Sequence, residues 1–100
     1  MVRDNIPDLI RNTGGVPVVK ILGVRAYKDA LRTKLVEEAC ECLDAKNKKI
    51  LISELADVHE VFSAICVVEN ISQKEVLAHA KRKRRERGGF EKKIYLHDVQ

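Results

Sequence analysis

Residues 35–58 read LVEEACECLDAKNKKILISELADV, and this stretch decides the fold. Two apolar runs with helical periodicity flank the polar break Lys46-Asn47-Lys48-Lys49, a pattern that suits two antiparallel helices joined by a short turn. Inside those runs stand two acidic clusters, Glu37-Glu38-Ala39-Cys40-Glu41 and Glu54-Leu55-Ala56-Asp57. Glu38/Glu41 and Glu54/Asp57 are each spaced i,i+3, so each pair projects from one side of its helix. Carboxylates beside a packing seam are costly unless a cation lies between them. Four of them at one point would repel, raising their pKa values or splaying the helices, unless a divalent ion neutralises the charge. Such an oxygen-rich cage suits Mg2+ or Mn2+.

Outward from this stretch, the first helix of the pair is expected from about Ala26 to Lys46. Leu31, Leu35, Ala39, Cys42 and Leu43 share one stripe. At about 100° per residue, with Leu35 at 0°, Glu38 falls near 300°, Glu41 near 240° and Glu37 near 200°. Glu38 therefore borders the core, and Glu37 points furthest from it. The second helix is expected from about Ile50 to Glu69, with Glu54 among Val58, Val61 and Ile65 on an apolar arc. It is apolar on most sides, as a central helix should be, and His59 is read as a hydrogen-bonded core residue.

A third long helix is expected from Gln73 to about Arg87. Ser72-Gln73-Lys74-Glu75 forms a capping box, Ile71 and Val76 a hydrophobic staple, and Gly88-Gly89 an end signal. Ahead of the pair, Ile6–Arg11 suits a short helix with Pro7 in its first turn. Val16–Leu22 suits an extended piece lying on the core. Phe90–Leu96 suits a strand or tail that packs Phe90, Ile94 and Leu96. The expected fold is all-α: an antiparallel helix hairpin plus a third helix, with a four-helix-bundle-like core completed by oligomerisation. Residues 1–100 are read as a single domain.

Charge is unevenly spread. Residues 81–93 hold eight Lys/Arg against Glu86 and Glu91, or +6, so the other 87 residues carry −2 of the chain's +4. A basic end attracts phosphates. Lys83 and Arg87, one turn apart, form a candidate phosphate grip, and nucleic-acid binding through residues 81–93 is the competing reading. The three cysteines, an odd number, argue against a secreted disulfide framework and are read as small buried hydrophobes in a reducing compartment. No apolar run reaches the ~18 residues of a membrane span, and the opening lacks the apolar stretch of a signal peptide, so a cytoplasmic location is expected. Met1-Val2-Arg3 begins so near the first motif that a few further residues ahead of it are expected.

Three separated segments together resemble one family. Glu37-Glu38-x-x-Glu41 followed after twelve residues by Glu54-x-x-Asp57 is similar to the metal motif of the all-α, MazG-like nucleoside triphosphate pyrophosphatases. Val2-Arg3-Asp4-Asn5-Ile6-Pro7 and the Lys83–Phe90 end resemble the small phosphoribosyl-ATP pyrophosphohydrolase-like members, with Lys34-Leu35 ahead of Glu37 in agreement. Asn5 departs from a usual Lys, and residues 81–85 are more basic than the pattern needs.

The resemblance implies Mg2+, or Mn2+, held by Glu38, Glu41, Glu54 and Asp57, with Glu37 beside them. It also implies cleavage of a nucleotide between the α- and β-phosphates, in a homodimer or homotetramer. Glu38 or Glu41 would serve as the catalytic base, and Lys34, Lys83 and Arg87 would hold the phosphates. The substrate is expected to be an NTP-like nucleotide, as in house-cleaning of modified nucleotides. Phosphoribosyl-ATP itself, in histidine biosynthesis, is the alternative.

Overall fold

A computed structural model describes all residues, Met1–Gln100. It is all-helical: α1 Ile6–Asn12, α2 Val24–Asp44, α3 Lys48–Val68 and α4 Gln73–Arg87, with no strand. The chain divides into two compact units, Met1–Asn70 and Ile71–Gln100.

In the first unit, α2 packs along α3 after a turn of only three residues, Ala45–Asn47. The start of α2 meets the end of α3 through Glu69, which pairs with Lys28 at 3.3 Å and Arg32 at 3.7 Å. Asn47 explains why α3 begins two residues before the expected Ile50: its side chain accepts a hydrogen bond from the Ile50 N–H at 2.9 Å. That satisfies one of the donors every helix start leaves unpaired. The helix ends at Val68, and Asn70 just beyond it, at a φ of 56°, is a left-handed stop that asparagine tolerates.

Leu31, Val61, Cys66 and Glu38 are the buried residues. On the α2 wheel the buried arc centres near Leu31 and Glu38, so Glu38 faces the seam itself. The expected stripe is displaced accordingly. Leu35 and Cys42 are half-buried, but Ala39 and Leu43 are exposed. On α3 the expected arc holds, with Val61 buried and Val58 and Ile65 half-buried around Glu54. His59 is exposed, its ring beside Phe62 at 6.2 Å between centroids. It lies on the opposite side of α3 from that arc. Of the cysteines only Cys66 is buried, Cys42 is half-buried and Cys40 is exposed. All three are free thiols.

Helix α1 carries Pro7 in its first turn and an Asp8–Arg11 ion pair at 2.7 Å. The chain then turns back so tightly that Gly15 N–H bonds the Ile10 carbonyl at 2.9 Å. A Cβ on Gly15 would lie 2.5 Å from Ile10 Cγ2, so any larger residue there would force the Ile10 side chain to shift. Residues 16–22 form neither helix nor strand, and the β-branched side chains do not lie on the core: Val18 is 97% exposed and Val16 and Ile21 nearly as much. A β-branched run with no neighbouring strand has no ladder to join, and Pro17 removes a donor from it.

In the second unit, α4 starts as expected, with Ser72 Oγ accepting from Glu75 N–H at 3.2 Å. It stops at Gly88, φ 81°. The tail after it forms neither a strand nor a packed segment, since Phe90, Ile94 and Leu96 are all largely exposed. A short turn replaces it, closed by Lys93 N–H to the Phe90 carbonyl at 3.0 Å. An ion pair between Arg84 and Glu91 ties that turn back to the helix.

Candidate active site

Glu38 of the first acidic pair meets both members of the second across the α2–α3 seam. Glu38, Glu54 and Asp57 each place a carboxylate oxygen within 4.8 Å of the others'. Helical spacing does this: Glu54 and Asp57 are one turn apart on α3, and Glu38 comes from the facing arc of α2. Three oxygens this close match the donors and the spacing of a hard divalent cation, which takes carboxylates at about 2.0–2.6 Å.

The electrostatics carry the signature of that crowding. Loss of surrounding water raises the Glu54 carboxyl above its ordinary 4.5, and the charges of Glu41, Asp57 and Glu38 push the same way. The Cys42 thiol rises above 9.0, first from burial and then from Glu54, Glu38 and Asp57. Two cations offset part of the repulsion. Lys34 reaches Glu38 at 3.2 Å and Glu37 at 3.4 Å, and its hydrogen bond to Glu38 is the main reason its amine is held above 10.5. Arg3 Nη2 lies 2.6 Å from Asp57 Oδ1. Glu54 takes no ion pair.

Of the five carboxylates expected here, Glu37 is exposed, bonded to Lys34 and outside the convergence. Glu41 also stands outside it, exposed, yet near enough for its charge to act on Glu54. Lys83 and Arg87 are exposed on α4. Sequence reasoning had no role for Arg3 or Cys42 here. Arg3 is 54 residues from its partner, and the α2 wheel puts Cys42 among hydrophobes although the cluster faces it.

Beside the carboxylates opens a cavity of about 500 Å3 within the first unit, a size typical of small-ligand sites. Val2, Ile6, Tyr27, Leu31, Val61 and Ala64 give it apolar walls, while Arg3 and Lys34 and the acidic Asp4, Glu38, Asp57 and Glu60 charge its rim.

A helical hairpin that gathers carboxylates at its seam, beside a cavity with basic groups at its rim, has the donors for a divalent cation and the charges for an anion. Residues 24–84 match the model of the phosphoribosyl-ATP pyrophosphohydrolase family, and the chain belongs to that family, within the MazG-like all-α superfamily. The match runs from the start of α2 nearly to the end of α4, enclosing both acidic pairs and leaving Arg3 outside. A protein of Mycolicibacterium smegmatis (strain ATCC 700084 / mc(2)155), described as uncharacterized, is 49% identical over 41 residues. That stretch is 41% of this chain and 42% of the relative, so the likeness spans less than half of either. No solved structure matches the chain.

Proposed function

We propose that the protein is a Mg2+-dependent nucleotide pyrophosphohydrolase, cleaving an NTP-like substrate between the α- and β-phosphates to a monophosphate and pyrophosphate. The observation that carries this is the convergence of Glu38, Glu54 and Asp57 within 4.8 Å, inside the segment matching a pyrophosphohydrolase family. Those three would hold the ion, which when bound neutralises phosphate oxygens and orients the attacking water.

The remaining steps belong to the chain's own side chains. Glu41 is assigned as the general base because it sits next to the cluster without joining it, so its lone pairs stay available for a proton. Water adds to the α-phosphorus, its proton passes to Glu41, and the bond to the bridging oxygen breaks to release pyrophosphate. Lys34 holds Glu38 in position through their ion pair, and lends positive charge at the phosphate end. Lys83 and Arg87 are proposed as further phosphate groups on the strength of the likeness, and their alanine variants should raise KM. The apolar cavity walls, with Tyr27 as their one aromatic ring, suit the nucleoside.

A second reading, phosphoribosyl-ATP as the substrate, is favoured by the description of the matched family. A second copy of the chain is the proposed partner, in a dimer or tetramer, and the cytoplasm the proposed location. No helix is long and apolar enough to cross a membrane. The test is pyrophosphate release across a panel of nucleotides that includes phosphoribosyl-ATP, with Mg2+ and with excess EDTA. Turnover should vanish in EDTA, and Glu41→Gln should lose about 100-fold or more of kcat, as removal of a general base does. Undiminished turnover in EDTA would sink the proposal.

A further inference from the structure

We infer that Arg3 is a phosphate-binding residue of this site, held ready on Asp57 and passed to the substrate's phosphate oxygens when a divalent cation takes that carboxylate. The inference rests on the metal-dependent reading above. Its support is the distribution of charge at the cavity rim. Of the three converging carboxylates, Glu38 carries Lys34 and Asp57 carries Arg3, while Asp4 and Glu60 add further negative charge to the cavity lining. A divalent ion held by Asp57 would neutralise the charge that Arg3 now meets, which weakens the hold of that carboxylate on a guanidinium and frees the guanidinium for a phosphate oxygen.

The two cations are not equally placed to respond. Lys34 is shared between Glu37 and Glu38 and is pinned by helical spacing to both. Arg3 makes a single-nitrogen contact, although a guanidinium offers five N–H donors in a fork that matches phosphate. It is 57% exposed at its side chain and stands on the segment ahead of α1. Its backbone is fixed by the Ile6 N–H bond to its carbonyl at 3.1 Å. A short movement of the side chain alone keeps the fork at the rim of the cavity that Asp57 and Glu38 also line.

The experiment compares the wild type, Arg3→Ala, Arg3→Lys and Glu54→Gln in two binding measurements. These are Mn2+ alone, followed by electron paramagnetic resonance, and inorganic pyrophosphate at saturating Mn2+, followed by equilibrium dialysis. Arg3→Ala should bind Mn2+ as tightly as the wild type or more tightly, having lost a competing cation. The same variant should bind pyrophosphate about tenfold more weakly or worse, the value of a lost charge-assisted contact. Arg3→Lys should recover part of that loss, with an unchanged Tm. Two outcomes overturn the inference: unchanged pyrophosphate affinity in Arg3→Ala, or a loss of Mn2+ affinity in it, which would make Arg3 only a brace for Asp57. Wild-type Mn2+ affinity in Glu54→Gln would instead remove the metal site, and with it the functional reading, whatever Arg3 does.

Discussion

Glu38 and Glu37 are neighbours in sequence with opposite surroundings. Glu38 is 8% exposed at the α2–α3 seam, and Glu37 is exposed and bonded outward to Lys34. Only Glu38 joins the convergence, so Glu38→Gln should lower Mn2+ affinity by an order of magnitude or more and Glu37→Gln should change it less than threefold, by titration calorimetry. Glu54, half-buried and without a cation of its own, has its carboxyl raised by lost hydration and by the charges of Glu41, Asp57 and Glu38. A group kept for function at the expense of stability should give a more stable protein when neutralised. Glu54→Gln in EDTA at pH 7 should raise Tm by a few degrees, and an unchanged or lower Tm would contradict the crowding argument. The separation of Glu38 from Glu37 was legible from helical angles alone. The pairing of Arg3 with Asp57 was not, because no local periodicity links residues so far apart in the chain.

Helix ends follow local chemistry, which is why they were the most legible elements. The Ser72 cap and the Gly88 stop appear where the sequence placed them, and Asn47 moved the start of α3 by supplying a cap ahead of it. Asn47→Ala should cost about 1 kcal/mol in urea unfolding. Apolar segments outside helices were misread for a physical reason: β-branched composition favours extended backbone but does not provide a partner, so Val16, Val18, Val19 and Ile21, like residues 90–96, remain exposed. What organises the end of α4 is instead the Arg84–Glu91 pair. Arg84's hydrogen bond is the main cause holding the Glu91 carboxyl below its ordinary 4.5. A carboxyl depressed on folding contributes stability that is present above 4.5 and lost as pH falls through its lower, folded value. The side-chain carbon shift of Glu91 should therefore titrate below 4.5 by NMR, and Arg84→Ala should return it to the ordinary value. Identical titration in both proteins would rule the latch out.

The whole molecule leaves large aliphatic side chains in water: Val36 and Leu43 on one face of α2, and Leu51, Ile52 and Leu55 on α3. Val36 and Leu43 are seven residues apart and Leu51 and Leu55 four, so each set forms a stripe of the kind another helix covers. With a second copy as the proposed partner, the wild type should sediment at a multiple of the chain mass, and Leu55→Asp should shift it toward the monomer. Helical composition and hairpin were legible in the sequence, as was the family's acidic motif. The second copy leaves no local pattern beyond these stripes, so its existence rests on that sedimentation result. The central claim, cleavage between the α- and β-phosphates by the carboxylate cluster, is tested most directly by 31P NMR of the products formed from a nucleoside triphosphate with Mg2+. The account predicts monophosphate and pyrophosphate in equal amounts, and none of either with Glu54→Gln. Nucleoside diphosphate with orthophosphate, or the same products at the same rate from Glu54→Gln, would contradict it.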